Sequence, residues 1–120
     1  MDITFEGKTP MGQFVYGSLL EFPDGDCFIC TPNSDNTLDK HFVLPETIAQ
    51  YTGIEDKNGR RIFDGYRVRV PMYGLFEKLI LMKGTVEWKN GAFHVKWDDE
   101  DKGRHFLGYL EDVEVIEEVM

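Results

Sequence analysis

The sequence predicts a mainly β protein, and three observations carry that expectation. Short runs rich in Val, Ile, Phe, Tyr and Thr recur along the chain, with Gly, Pro, Asn and Asp clustered between them. The stretch 85–97, TVEWKNGAFHVKW, sets Asn90-Gly91 between two alternating segments, which is the strongest short-range hairpin signal. Helical spacing is confined to one short segment, near residues 46–52. With 120 residues the chain suits one domain, or one domain with a small appended lobe.

Residues 1–44 read as a meander that forms a β-rich N-terminal lobe. Pro23-Asp24-Gly25 is a turn, since Pro presets φ and Gly accepts a positive one, so Gln13 to Glu21 and Asp26 to Thr31 form a hairpin pair. A polar loop from Pro32 to Asp39 leads to a third strand through Lys40 to Val43. Next comes the stretch that organises the chain, residues 44–70. Pro45 suits the first helical position, Leu44, Ile48 and Tyr51 recur on one helical face, and Gly53 closes the turn, so a short helix is expected over 46–52. A helix that short needs an apolar surface to dock on.

Asn58-Gly59 and Asp64-Gly65 each offer the positive φ of a tight turn. From Tyr66 the chain alternates, with Tyr66, Val68 and Val70 on one face and Arg67 and Arg69 on the other, until Pro71 ends the strand. Residues 72–82 are apolar and irregular, compatible with a helical turn or a wide loop. In the Asn90-Gly91 hairpin a two-residue loop places Lys89 opposite Ala92, Trp88 opposite Phe93, Glu87 opposite His94 and Val86 opposite Val95. Asp98 to Asp101 reads as an acidic loop, His105 to Leu110 as a short element, and Val113 to Val119 as a last strand.

The net charge of −9 is segregated along the chain. Residues 1–56 hold ten acids and two bases, residues 57–97 three acids and nine bases, and residues 98–120 nine acids and two bases. An acidic chain is a poor nonspecific nucleic-acid binder, yet a basic middle can still make a local face. Arg60, Arg61, Arg67 and Arg69 are the candidate interaction face, with Tyr66, Tyr73 or Trp97 as stacking platforms if exposed. The alternative reading pairs the arginines with the acidic flanks and buries Tyr66 and Trp97. Such pairing between copies, with residues 72–82 supplying apolar area, makes a homo-oligomer.

No catalytic set emerges. Cys27-Phe28-Ile29-Cys30 is a C-x-x-C inside an expected strand, where the two side chains point to opposite faces, so both are expected as free thiols. Around Asp56-Lys57-Asn58-Gly59 the flanking ligands of a calcium loop are missing, because Ile54 and Gly65 stand at two of its positions. The scattered His41, His94 and His105 suggest no metal site, and no cofactor motif is present. Neither a signal peptide nor a membrane span is supported, so a cytosolic protein that is not an enzyme is expected.

The run PETIAQYTGIEDKNGRRIFDGYRV closely resembles the signature of the YopX family of small phage and prophage proteins, on Gln50, Tyr51, Thr52 and Gly53, then Asn58 and Gly59, then Asp64 and Gly65. Tyr16-Gly17-Ser18-Leu19, Gly84-Thr85-Val86 and the Asn-Gly hairpin are similar to the family pattern too. Tyr66 stands where a short acidic residue is expected, and the end, LEDVEVIEEV, resembles the family's closing segment only loosely. The resemblance implies an SH3-type small barrel over 45–120, after the N-terminal lobe of 1–44, and a phage or prophage origin. It implies no activity. The function expected is that of an accessory protein acting through protein contacts and self-association, with a host protein as a possible partner. A nucleic-acid-binding small barrel and an acidic decoy of a host DNA-binding protein, built on Asp98 to Asp101 and Glu111 to Glu118, are the alternatives.

Overall fold

The computed structural model describes residues 4–74 and 78–117. The chain divides into two compact units, one ending at Tyr51 and the other beginning at Thr52. Both are antiparallel β structures, and no helix among the described residues reaches two turns.

The first unit contains β1 (Phe5–Lys8), β2 (Phe14–Glu21), β3 (Cys27–Pro32) and β4 (Leu38–Val43), each hydrogen-bonded to the one before it. The turn at Phe22 to Asp26 closes as its residues predict, with Gly25 N–H donating to Phe22 O and the Asp26 N–H to Asp24 Oδ1. Cys27, Ile29 and Val43 form its core, with Phe5, Val15, Leu19 and Ile48 packed around them. Phe22, Phe28 and Phe42 meet edge to face outside that core, and the Lys40 ammonium lies 5.1 Å from the Phe28 ring centre. Cys27 is buried while Cys30 is half-buried, both as free thiols, as opposite faces of a strand require.

The expected helix over 46–52 is absent. Pro45–Thr47 makes a single 3-10 turn, and β5 (Ala49–Glu55) begins two residues later, carrying the chain from the first unit into the second. Two effects decide this. Thr47 Oγ1 accepts the Lys8 N–H and donates to Leu44 O, so the turn is tied to the end of β1. The β1 edge then offers a ladder to Ala49 and Gln50, and the Tyr51 N–H donates to Thr4 O. Thr47, Ile48, Tyr51 and Thr52 fit a pleated surface better than a helix of under two turns, which cannot repay its nucleation cost. The helical spacing of Leu44, Ile48 and Tyr51 is coincidental.

The second unit holds β6 (Arg61–Phe63), β7 (Arg67–Tyr73), β8 (Leu79–Lys89), β9 (Ala92–Trp97), β10 (Arg104–Phe106) and β11 (Glu114–Glu117). Its five-stranded sheet runs β10-β9-β8-β7-β11, and no ladder joins β10 to β11 among the described residues. The hairpin register is the one the loop length dictates: Lys89 faces Ala92, Trp88 faces Phe93, Glu87 faces His94 and Val86 faces Val95. Asn90 and Gly91 both take positive φ, 52° and 86°. Val68, Val70, Val86, Val95 and Trp97 are fully buried with Ile62, Phe63 and Tyr66. Burial fades toward the hairpin turn, where Trp88 is 55% exposed despite its edge contact with Phe93 at 4.9 Å.

Residues 72–82 are neither helix nor wide loop where they are described. β7 runs through to Tyr73 and β8 starts at Leu79, with Met72 opposite Ile80 and Tyr73 opposite Leu79. Pro71 lies inside β7 opposite Leu81, at a position whose nitrogen points away from β8, so no hydrogen bond of that ladder is lost. Leu75 and Phe76 lie outside the described residues. The last strand carries a register shift between Val115 and Glu117 that leaves Ile116 exposed, while Val113 and Val115 are buried.

Candidate functional site

The family-like residues hold turns. Gly53, Gly59 and Gly65 have φ of 85°, 82° and 89°, a region open to glycine at no steric cost. Gln50 lies opposite Phe5, and Tyr51 follows it in β5. Thr52 Oγ1 donates to Ile62 O at 2.8 Å and accepts the Ile54 N–H, which ties β5 to β6. Asp64 sits half-buried at the β6–β7 turn. Burial pushes its carboxyl above the usual range, Glu87 adds to that, and the Trp88 and Gly65 N–H groups pull the other way. The Gly65 N–H donates to Val86 O.

Asp56 does more than form its own turn. Its Oδ1 accepts the N–H groups of Asn58 and Arg60, both at 2.9 Å, and its Oδ2 accepts the Val115 N–H at 3.0 Å from fifty-nine residues away. The Lys57 N–H donates to Val113 O. Burial works against this carboxylate, but the N–H groups of Val115, Arg60 and Asn58 outweigh it, so its pKa is lowered. The segment with the partial look of a calcium loop is therefore a clasp on β11.

The four candidate arginines do not make one open basic face. Arg67 grips Asp98 through both guanidinium nitrogens at 2.5 and 2.6 Å and touches Thr85 Oγ1. Arg69 pairs with Glu114, which also meets Lys57 at 3.4 Å. Arg104 pairs with Glu87. The arginine hydrogen bonds hold the carboxyls of Asp98, Glu114 and Glu87 below their usual values. Arg60, on the turn before β6, and Arg61, the first residue of β6, are exposed and themselves engaged in contacts. Part of the charge segregation is thus met within one chain. Of the proposed platforms Tyr66 and Trp97 are core, with the Trp97 Nε1–H donating to His105 Nδ1, while Tyr73 is 78% exposed.

The apolar area expected from residues 72–82 stands, in its described part, as an exposed surface at one end of the second sheet. β11 opposes β7 only at Arg67 to Arg69, and β9 opposes β8 only from Gly84 on, so the remainder of these two strands has no outer neighbour among the described residues. There Leu79, Ile80 and Leu81 are 54%, 47% and 56% exposed beside Tyr73. A cavity of about 1120 Å³ lies along this surface, lined by Pro71, Tyr73, Leu79 and Leu81, by Phe106 and Tyr109, and by groups of both signs, including Lys57, Arg69, Lys89, Arg104, Glu111 and Glu114. His94 stacks on Phe106 at 4.6 Å, and Phe106 meets Tyr109 edge to face. The apolar run 79–82 was a signal in the sequence, but nothing local says whether such a run is covered.

Among the described residues no three His, Cys, Asp or Glu side chains converge as metal ligands do, and no helix is long and apolar enough to cross a membrane. No curated protein sequence matches the chain. The family model described as YopX protein matches residues 14–119, nearly its whole length and all of the turn-holding residues above. The chain belongs to the YopX protein family.

Proposed function

We propose that this is a phage or prophage accessory protein that works without turnover, through protein contacts and self-association, in the cytoplasm of the bacterial host. One observation carries the reading: the apolar ends of β7 and β8 stand open while Arg67, Arg69 and Arg104 are already paired. Contiguous exposed apolar surface is what protein partners cover, whereas paired arginines have little charge left for phosphate. The same pairing weighs against an acidic decoy, since Glu87, Asp98 and Glu114 are engaged too. The reading includes an SH3-type small barrel for the second unit, behind a β-rich N-terminal lobe. The meander β7-β8-β9-β10 with β11 returning beside β7 supports that arrangement.

The test is light scattering and affinity capture from infected host lysate, with the full chain and with Leu79→Glu plus Leu81→Glu. A mass above the monomer or a retained protein, lost in the variant, supports the reading. A monomer at every salt that retains no protein overturns it. A second reading, nucleic-acid binding, draws on exposed Tyr73, Phe106 and Tyr109 near Lys57 and Lys89. It requires retention that falls steeply with log salt and is lost in Lys57→Glu plus Lys89→Glu.

A further inference from the structure

We propose that the free edge of β8 at Leu79–Met82 is a docking edge for an extended, acid-flanked segment of another protein, which adds there as a strand in line with β9. The inference rests on the protein-contact reading above and names the chemistry of the partner. β9 opposes β8 over Gly84 to Lys89, and the Asp98 N–H makes one further bond to Lys83 O. The chain then turns away through Glu100–Lys102 and returns as β10. Leu79 to Met82 are left paired with β7 alone, with the outward half of their backbone donors and acceptors unclaimed by any strand among the described residues.

The vacated line is open space. A cavity of about 430 Å³ lies there, with Ile80, Leu81 and Met82 on one side and Trp97, Asp98 and His105 on the other. That volume falls within the range of sites that hold ligands. The opposite edge of the same ribbon is guarded, because Pro71 of β7 has no N–H to give a new strand. Leu79-Ile80-Leu81-Met82 carries no such guard and no charge.

Charge selects the occupant. Lys78 and Lys83 flank the open segment, and Lys102 also lines the cavity. Of the two acids there, Asp98 is taken by Arg67. The same segment of a second copy, Lys78 to Lys83, holds two lysines and no acid, so pairing with it brings two more positive charges to the edge and gives neither lysine a counter-charge. A foreign strand with an acid at each end meets both lysines favourably. Backbone bonding then supplies affinity, and the flanking charges supply selectivity.

The test uses two synthetic peptides, acetyl-Glu-Val-Thr-Val-Thr-Glu-amide and its counterpart with Lys at both ends, titrated into the isotope-labelled full chain and followed by amide NMR. The Glu peptide is expected to shift the amides of Leu79 to Met82, to protect those of Leu79 and Leu81, which point away from β7, and to bind about tenfold more tightly than the Lys peptide. In Lys78→Glu plus Lys83→Glu, at exposed sites whose spectrum reports an intact fold, the preference reverses. Failure of either peptide to move those amides overturns the proposal, as does a preference that survives the charge reversal. Protection of Leu79 and Leu81 without peptide, with a doubled mass, also overturns it in favour of a second copy. If capture still depends on Leu79 and Leu81 while the peptides ignore the edge, the contact reading stands and only the edge assignment falls.

Discussion

The two ends of the β7–β8 ladder are built alike and behave differently. At one end Val68 and Val70 on β7 and Val86 on β8 are buried, and Arg67 and Arg69 reach across to Asp98 and Glu114. At the other, Tyr73, Leu79, Ile80 and Leu81 have the same strand geometry and comparable apolarity, yet stand exposed. Side-chain character does not separate them. The difference is neighbours: β9, β11 and the Asp56 clasp enclose the first end, and no described strand flanks the second. A ladder sets spacing and register, but core is made only where other elements cover it.

The largest expected effect breaks the enclosed end at its clasp. Asp56→Ala removes a buried acceptor of three backbone N–H groups and frees β11, so denaturant unfolding should show a loss of about 2–4 kcal/mol, with the exchange of Val115 amide protons strongly accelerated. Next is Gly84→Ala, where a Cβ would meet Lys96 O at 2.5 Å and Val95 Cγ1 at 2.6 Å. Calorimetry should register about 1–3 kcal/mol of destabilisation, because neither neighbour is a flexible side-chain end. No measurable loss at Gly84 would mean β8 and β9 yield more easily than a packed sheet should.

Acid sharpens the same contrast. Asp56, Glu87, Asp98 and Glu114 have folded pKa values below their ordinary 3.8 to 4.5, so the stability they add is present above that range and is lost as pH falls through the lower folded values. Asp64 has the opposite sign: its raised pKa favours the folded state below 3.8, and that benefit disappears as pH rises through the folded value. The sum is a protein whose melting temperature drops below about pH 4, with amides near Val115 losing protection before those of β3. Uniform loss would show that the four carboxylates do not hold the enclosed end in particular.

The smallest effect belongs to the open end. Leu81→Thr should change stability by no more than about 0.5 kcal/mol, as at an uncovered surface site. Native-state hydrogen exchange should find the outward amides of Leu79 and Leu81 among the fastest of the second unit's strands. Slow exchange there in the isolated monomer would erase the distinction between the two ends.

Much of the fold was legible because it is local. Asn90-Gly91 sets a register since two residues of positive φ leave one way to close the loop, and Pro23-Asp24-Gly25 acts by the same logic. The alternation of Val68 and Val70 with Arg67 and Arg69 says which residues share a face, because the period of a strand is two. The chain's membership in its family was likewise readable from spaced turn residues.

Tertiary structure alone decided the rest. It turned Ala49 to Thr52, the end of the helix expected over 46–52, into the start of a strand, because the edge of β1 offered backbone partners that a lone short segment lacks. It gave Asp56 a third hydrogen bond from Val115, and it spent Arg67 and Arg69 on acids far along the chain. It also left Leu79 to Met82 uncovered. Local sequence determines turn, period and register through dihedral sterics, whereas exposure and pairing depend on which distant segment arrives alongside, a long-range packing outcome that no window of residues encodes.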